Sequence, residues 1–473
     1  MNPWFYPIGI KLSRNSQQRI SLALPDVREY SGSSGMKKII AVPQALLQGI
    51  FGDSVKNIAR DCGFVRRVRK FDPALFAQLM CLSLVGSVTV SLAKLAIDLR
   101  ISSSALCQRF SQAVTVTFFW KLLRHVLVEL DRAANLPRLN IPIFSHFNGV
   151  YLVDATSLKL PECLAKRFPG CGGGAGKHDT RARAGVKILL RYRLDCPGDV
   201  TVRLRGSSTP DKKMLASMPP LERGSLLIAD MGFFDGERFE QSTRAGCFWL
   251  TRLPAQLSLQ VDGGRWEQLV DLLDGLKSRD VVQYEAEATI SRQSPFRGRV
   301  LFERCPPAIA AERRRKLLLG YKGKAPGRRK LTMCDWWAMS TNAPTEKMDA
   351  KQAANLYRSR WQIELVFKRW KSLGRLQIDS KHSENRAVCE LYAKLIGVLV
   401  VDWLATIRGG SLSGRSVWLA WDLIRSLMPS ILNALRGQMS WEVVLTELDR
   451  LLNARPKQAR RKQKPSTRQT LYT

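Results

Sequence analysis

The sequence predicts an α/β protein with helical ends, and three observations carry that prediction. Apolar residues recur at helical spacing from about 36 to 145 and again after 386. Between about 150 and 340, short apolar runs bounded by Gly, Pro and Asn have the texture of strands. The third is bulk and charge: 473 residues with 45% apolar content can bury full cores, and 75 Lys and Arg against 40 Asp and Glu give a formal charge of +35 and a pI of about 10.3. Such an excess calls for a polyanionic partner, and because the cations are spread through apolar-periodic segments, nucleic acid bound by a folded protein is the leading expectation.

Ten cysteines with no C-x-x-C pair and only four histidines give no sign of a zinc ribbon or a disulfide framework, so reduced, buried thiols in a cytoplasmic protein are expected. The first residues, "MNPWFYPIGIKLSRNS", lack the apolar stretch of a signal peptide. Uncharged "ALFAQLMCLSLVGSVTVSLA", 74–93, is long enough to suggest a membrane span, but its Gln78 and its Ser and Thr residues favour one or two buried helices.

In chain order, 1–35 shows no period and reads as a flexible arm or an over-extended start. A helical DNA-binding domain follows at 36–145. Within it "SLAKLAIDLRISSSALCQRFSQA" reads as helix, turn and a second helix capped by Ser102 to Ser104. That is either a helix-turn-helix offering Gln108 and Arg109 to a groove, or an ordinary helical hairpin, since the usual turn glycine is missing. After the link "NLPRLNIPIFSHFNG" come four strands, "GVYLVDATSLKL", "AGVKILLRYRL", "DVTVRLRGS" and "GSLLIADMGFF". From about 244 to 340 further strand-like runs appear, "CFWLTRLP", "VVQYEAEATIS", "GRVLFERC" and "WWAMSTN", with "WEQLVDLLDGL" the one strong helix. The glycine cluster "PGCGGGAGKHD", 169–179, has Cys171 and His178 where a phosphate loop needs glycine and a hydroxyl, and reads as a hairpin connection. Residues 386–452 are helical and apolar, and 453–473 is a basic tail suited to nonspecific phosphate contact.

The chemistry concentrates in "NLYRSRWQIELVFKRWKSLGRL", 355–376, a basic aromatic helix with one acid, Glu364, in its middle. At about 100° per residue, Arg360, Glu364 and Lys371 fall near −60°, −20° and −40° from Tyr357, with Lys368 near +20°. Leu356, Ile363, Val366, Phe367 and Trp370 form the adjoining apolar arc. Pairing of Glu364 with Arg360 and Lys368 at i,i+4 spacing is one account of the acid. The other is that the aligned cations grip phosphates while the acid holds a divalent metal against the scissile one. A metal needs more oxygen ligands. Asp154 inside "VYLVDAT" and Asp230 at the end of "SLLIAD" are acids closing apolar strands, costly unless paired or metal-bound, although aspartate also favours turns and helix caps.

"YRSRWQIELVFKRWK" resembles the Tyr-x2-Arg-x3-Glu-x6-Lys signature of bacterial insertion-sequence DDE transposases of the insertion sequence 4 group, and "STNAPTE", "LIADMGFF" and "VDATSLKL" match the same family in the same order, spanning nearly all of 40–410. The resemblance implies a ribonuclease H-like catalytic core at 146–385, a mixed sheet with flanking helices, carrying a β-rich insertion at about 244–340. It implies that Asp154, Asp230 and Glu364 are the metal-binding catalytic triad for two Mg²⁺ ions, with Mn²⁺ able to substitute. Tyr357, Arg360 and Lys371, and Lys368 beside them, are implied to contact DNA phosphates. Partners follow: double-stranded DNA as terminal inverted repeats and target, and a homodimer joined through 386–452, with no membrane. In relatives an aromatic of the insertion receives a flipped base; Trp336 or Trp337 could do so, but a core strand is the favoured reading. Met231 stands where many relatives carry arginine, which puts a phosphate contact there in doubt.

The implied activity is metal-dependent cut-and-paste transposition. Its rivals are a nuclease of the same fold without strand transfer, a noncatalytic DNA-binding descendant, and a recombinase using Tyr357 as nucleophile, for which no Arg-His-x-x-Arg cluster is present.

Overall fold

The computed structural model describes residues 33–66, 71–86, 91–133, 139–172, 183–196, 198–321, 324–378, 383–409, 416–454, 467 and 471. Most of the N-terminal arm, most of the glycine cluster and most of the basic tail lie outside them. The described chain divides into two compact units that interleave in sequence, the first drawn from Met1–Leu139, Ala155–Pro210 and Gln362–Arg468, the second from Asn140–Asp154, Asp211–Trp361 and Gln469–Thr473. Ten strands are described: β1 (Val150–Lys159), β2 (Gly185–Arg193), β3 (Val200–Gly206), β4 (Leu226–Ala229), β5 (Phe248–Arg252), β6 (Ser258–Val261), β7 (Trp266–Gln268), β8 (Gln283–Ile290), β9 (Phe296–Arg304) and β10 (Trp336–Thr341).

The first unit is mostly helical. Its N-terminal part runs through helices Ser33–Phe51, Asp53–Asp61, Pro73–Gln78, Leu92–Asp98, Ser103–Ser111 and Ala113–Ala133, so the first helix begins slightly before the expected bound. Of the apolar stretch 74–93, the described residues 74–83 form a buried helix that widens into a π-turn at Leu79–Ser83, and 91–93 open the next helix; Gln78, itself buried, donates to the Phe51 carbonyl at 3.2 Å. Among the described residues no helix is long and apolar enough to cross a membrane.

Helices Leu92–Asp98 and Ser103–Ser111 form the expected pair, with the Ser102 hydroxyl accepting from the Ala105 amide at 3.1 Å. The turn that lacks glycine places Arg100 at a φ of 55°, and the Arg100 and Ile101 amides close on the Ile97 and Ala96 carbonyls, a Schellman ending. Gln108 is exposed as expected. Arg109 is not offered outward: its guanidinium lies 4.1 Å from the Phe71 ring centroid and donates to the Phe64 carbonyl at 3.2 Å, because flat guanidinium faces stack well on aromatic rings. The unit also holds the antiparallel β2–β3 hairpin and the C-terminal helices Glu384–Gly409, Val417–Ser426, Met428–Leu435 and Trp441–Ala454.

The second unit is a mixed sheet. In it β1 enters through its first half, and the order is β1, β4, β5, β10, β9, β8, β6, β7. β1, β4 and β5 run parallel, and the rest pair antiparallel. Helices Gly236–Arg244 and Leu269–Ser278 cover one face, burying Phe239, Leu272, Leu273 and Leu276 against Trp249, Phe302 and Trp336. Gly298 lets the Trp249 ring lie flat on β9, since a Cβ there would meet the ring at 2.7 Å. Trp336 is fully buried in this cluster, which bears out the core reading for it, while Trp337 is half-buried.

This is the α/β, ribonuclease H-like arrangement expected, with differences in detail. The segment 244–340 holds more helix than expected, above all Pro307–Gly320. That helix buries Ala310 alone, so no apolar face marks it in the sequence. All ten cysteines are free, but Cys163 and Cys171 are exposed and Cys62 and Cys107 half-buried, against the expectation of uniform burial.

Candidate active site

Burial along the strands positions the two aspartates. β1 buries Val150, Tyr151, Leu152 and Val153 and then releases Asp154; β4 buries Leu226 to Ala229 and ends on Asp230. The parallel register pairs Val153 with Ala229, so the two acids are the next residues on adjacent strands, whose spacing is about 4.8 Å. β5 extends the row: Ala229 pairs with Thr251, and Arg252 follows.

Carboxylates set side by side repel unless donors hold them. One short segment supplies both donors. The Tyr357 hydroxyl donates to Asp230 Oδ1 at 3.0 Å, and Arg360 Nη1 donates to Asp154 Oδ2 at 3.3 Å. Tyr357 ends helix Ala350–Ser359, whose start is fixed by an Asp349–Gln352 capping box. The phrase "STNAPTE" brings the chain there. Thr341 Oγ1 donates to the Trp249 carbonyl at 2.6 Å, the Asn342 amide bridges Thr243 and Cys247 at 2.9 Å each, and buried Arg299 donates to Thr345 Oγ1 at 2.7 Å and to the Met348 carbonyl.

The single helix expected over 355–376 is two, Ala350–Ser359 and Trp361–Ser372, meeting at Arg360, whose amide closes a tight turn on the Tyr357 carbonyl at 3.1 Å. The apolar arc is as expected, with Leu356, Ile363, Val366, Phe367 and Trp370 all buried. The five polar residues expected on one face fall in the two compact units. Tyr357 and Arg360 join Asp154 and Asp230 in the second unit, whereas Glu364, Lys368 and Lys371 belong to the first.

Glu364 is half-buried in the first turn of helix Trp361–Ser372, and Lys368 and Lys371 are exposed further along it. The Lys368 ammonium lies 5.9 Å from the Trp418 ring centroid, and desolvation by surrounding protein lowers the Lys371 pKa. The helix is tied down by buried Arg369, which donates to Asp402 Oδ1 at 2.9 Å, an oxygen that also accepts from Trp421 Nε1 at 2.9 Å.

Burial, and then the negative charge of Asp230, push the Tyr357 phenol above its ordinary pKa, with Arg360 and Arg252 pulling the other way. Held as a hydrogen-bond donor to Asp230, the neutral phenol is a poor nucleophile. Among the described residues no three His, Cys, Asp or Glu side chains are gathered closely enough to hold a metal ion. The Asp154–Asp230 pair does fit a hard divalent cation, offering carboxylate oxygens on adjoining strands.

Two residues escaped the sequence reading. Arg252 continues the acid row, and its buried Nε has no hydrogen-bond partner among the described residues. The sequence carries no sign of it, because only the pairing of β4 with β5 sets Arg252 beside Asp230. Trp361, directly after Arg360, is 56% exposed, rare for so large an apolar side chain.

The family model described as "Transposase DDE domain" matches residues 145–399. The transposase for insertion sequence element IS231F of Bacillus thuringiensis subsp. israelensis is 26% identical over 385 residues, covering 76% of this chain and 78% of that protein. The transposase for IS1151 of Clostridium perfringens is 22% identical over 391 residues, covering 77% and 80%. The putative transposase InsL for IS186A of Escherichia coli strain K12 is 32% identical over 111 residues, covering 23% and 30%. Since the family match spans more than half of the chain and includes Asp154, Asp230 and Glu364, this protein belongs to the DDE transposases of insertion sequences, enzymes that catalyse DNA transposition.

Proposed function

We propose that the chain carries out cut-and-paste transposition of an insertion sequence of the insertion sequence 4 group, with Asp154, Asp230 and Glu364 as its metal-binding acids. The observation that carries this reading is the aspartate pair on adjacent parallel strands, each acid already held by one residue of the Tyr-Arg signature. DNA is the substrate and a divalent metal the cofactor class of this family. Bound at these oxygens, two Mg²⁺ ions, or Mn²⁺ in their place, would activate an attacking water or 3′-hydroxyl and stabilise the departing oxygen.

The protein's own groups do the rest. Asp154 and Asp230 keep two oxygens pre-aligned, and Tyr357, neutral at all ordinary pH, can turn its hydroxyl from Asp230 to a phosphate oxygen. Arg360 and Arg252 offset the charge of the acids and then of the phosphate, and Lys368 and Lys371 grip the backbone. In this reading the helices of 36–145 recognise terminal inverted repeats, 386–452 joins two copies so that two ends are processed together, and 453–473 adds nonspecific phosphate contact.

The test is strand transfer. Purified protein is incubated with Mg²⁺, a duplex bearing the element's end, taken from the inverted repeats bracketing the gene, and a target plasmid. Joined end–target products are expected. Cut ends with no joined product would leave a nuclease of the same fold and contradict the proposal.

A further inference from the structure

The connection between β9 and β10, residues 305–335, is the most basic described part of the second unit and is unused by the reaction just described. Between 306 and 334 the chain carries nine Lys and Arg and a single carboxylate, Glu312. Three of these cations hold the segment in place. Arg313 donates to the Met333 and Trp336 carbonyls at 2.6 and 3.1 Å, Arg314 pairs with Asp335, and Arg328 pairs with Asp274 at 2.7 Å. Others do no such work: Arg315, Lys316, Lys324 and Arg329 are exposed, and among the described residues the only acid paired with Arg315 and Lys316 is Glu312 on the same helix, a contact worth little. Four clustered cations facing one carboxylate keep a net positive charge that raises the energy of the free protein, a cost that a polyanion removes.

Strand polarity says where these cations stand. β10 runs antiparallel to β5, with Met339 opposite Arg252, and β9 runs antiparallel to β10. The end of β9 and the start of β10 therefore lie at the same sheet edge as Asp154, Asp230 and Arg252. At about 4.8 Å per strand and about 3.3 Å per residue, with Trp336 and Arg304 three residues beyond the Asp230–Arg252–Met339 row, the start of β10 and the end of β9 are about 14 and 17 Å from Asp230.

We propose that 305–335 is a second DNA-backbone surface, on which Arg315, Lys316, Lys324 and Arg329 hold phosphates of the duplex beside the reacting bond. Its position relative to the chemistry rests on the active-site reading above; its affinity for duplex DNA does not. The cations form a rigid platform, because Arg313, Arg314 and Arg328 anchor it to the sheet and to helix Leu269–Ser278.

The test is a variant of the full chain with Arg315→Ser, Lys316→Ser, Lys324→Ser and Arg329→Ser, measured beside wild type and Asp154→Asn. Binding to a duplex of about 40 base pairs is followed across salt concentration; the four-site variant is expected to bind at least about tenfold more weakly at about 0.1 M salt, with the log–log salt slope reduced by about 2 to 4. Equal melting temperatures verify that the fold is kept. A photo-crosslinker at exposed Leu319 should join the protein to the duplex. Unchanged affinity and slope, or crosslinks only to a second copy of the chain, overturn the surface. Mg²⁺-dependent nicking is scored in parallel: if it persists in Asp154→Asn the active-site reading fails, while the salt slope still decides this surface.

Discussion

The phenol of Tyr357 is buried and donates a hydrogen bond to the negatively charged Asp230, and both facts oppose its ionisation. Its folded pKa therefore lies above the ordinary value of 10.0 that it regains on unfolding. Below about pH 10 both states keep the proton and the contribution is complete; as pH rises beyond that, the unfolded chain releases it first and stability falls. Urea denaturation between about pH 8 and 11 should show the midpoint falling from about pH 10 upward in wild type, and falling less steeply in Tyr357→Phe. Identical slopes would mean that the phenol is not held in this way. At this scale the sequence was informative where a residue type is costly in its surroundings: an aspartate closing an apolar strand stands out, and both such acids meet in register. Arg252 did not stand out, because a cation after "FWLT" reads as an ordinary strand end until the pairing of β4 with β5 is known. Arg109 misled, because an arginine on a short helix reads as solvent-facing and only the fold brings Phe64 and Phe71 beneath it.

Two elements carry sharper expectations. The turn after helix Leu92–Asp98 holds Arg100 in a left-handed conformation that disfavours a Cβ by about 1 kcal/mol, so Arg100→Gly should stabilise the protein by roughly that amount in thermal or urea melts. A loss of stability would show that the Arg100 side chain contributes more than its backbone strain costs. Helix Trp361–Ser372 is fixed by the buried Arg369–Asp402 pair, and Asp402→Ala leaves a buried guanidinium and the Trp421 indole without their acceptor. A destabilisation of about 3 to 5 kcal/mol is expected, whereas replacing both partners with apolar residues should cost far less. Long periodic helices and apolar strands were legible, since one face of each is buried. Helix Pro307–Gly320 was not, because it buries almost nothing, nor was the break at Arg360, where both flanking helices keep good helical sequence.

At the scale of the whole chain, the charge of +35 foretold a nucleic-acid partner, and the family match agrees with it. What no periodicity could supply is the interleaving of the two compact units, because each is assembled from three separate segments of the sequence. The three candidate acids likewise come from distant places in the chain, and the sequence reading joined them through the spaced Tyr, Arg, Glu and Lys of one motif. The measurement closest to the central claim is Mg²⁺-dependent nicking of an element-end duplex by wild type, Asp154→Asn and Glu364→Gln, with duplex affinity determined in each. Both variants should bind as wild type does and lose cleavage by about a thousandfold or more, as expected when a charge-stabilising ligand set is broken. Cleavage at near wild-type rate in either variant would contradict the assignment of these acids.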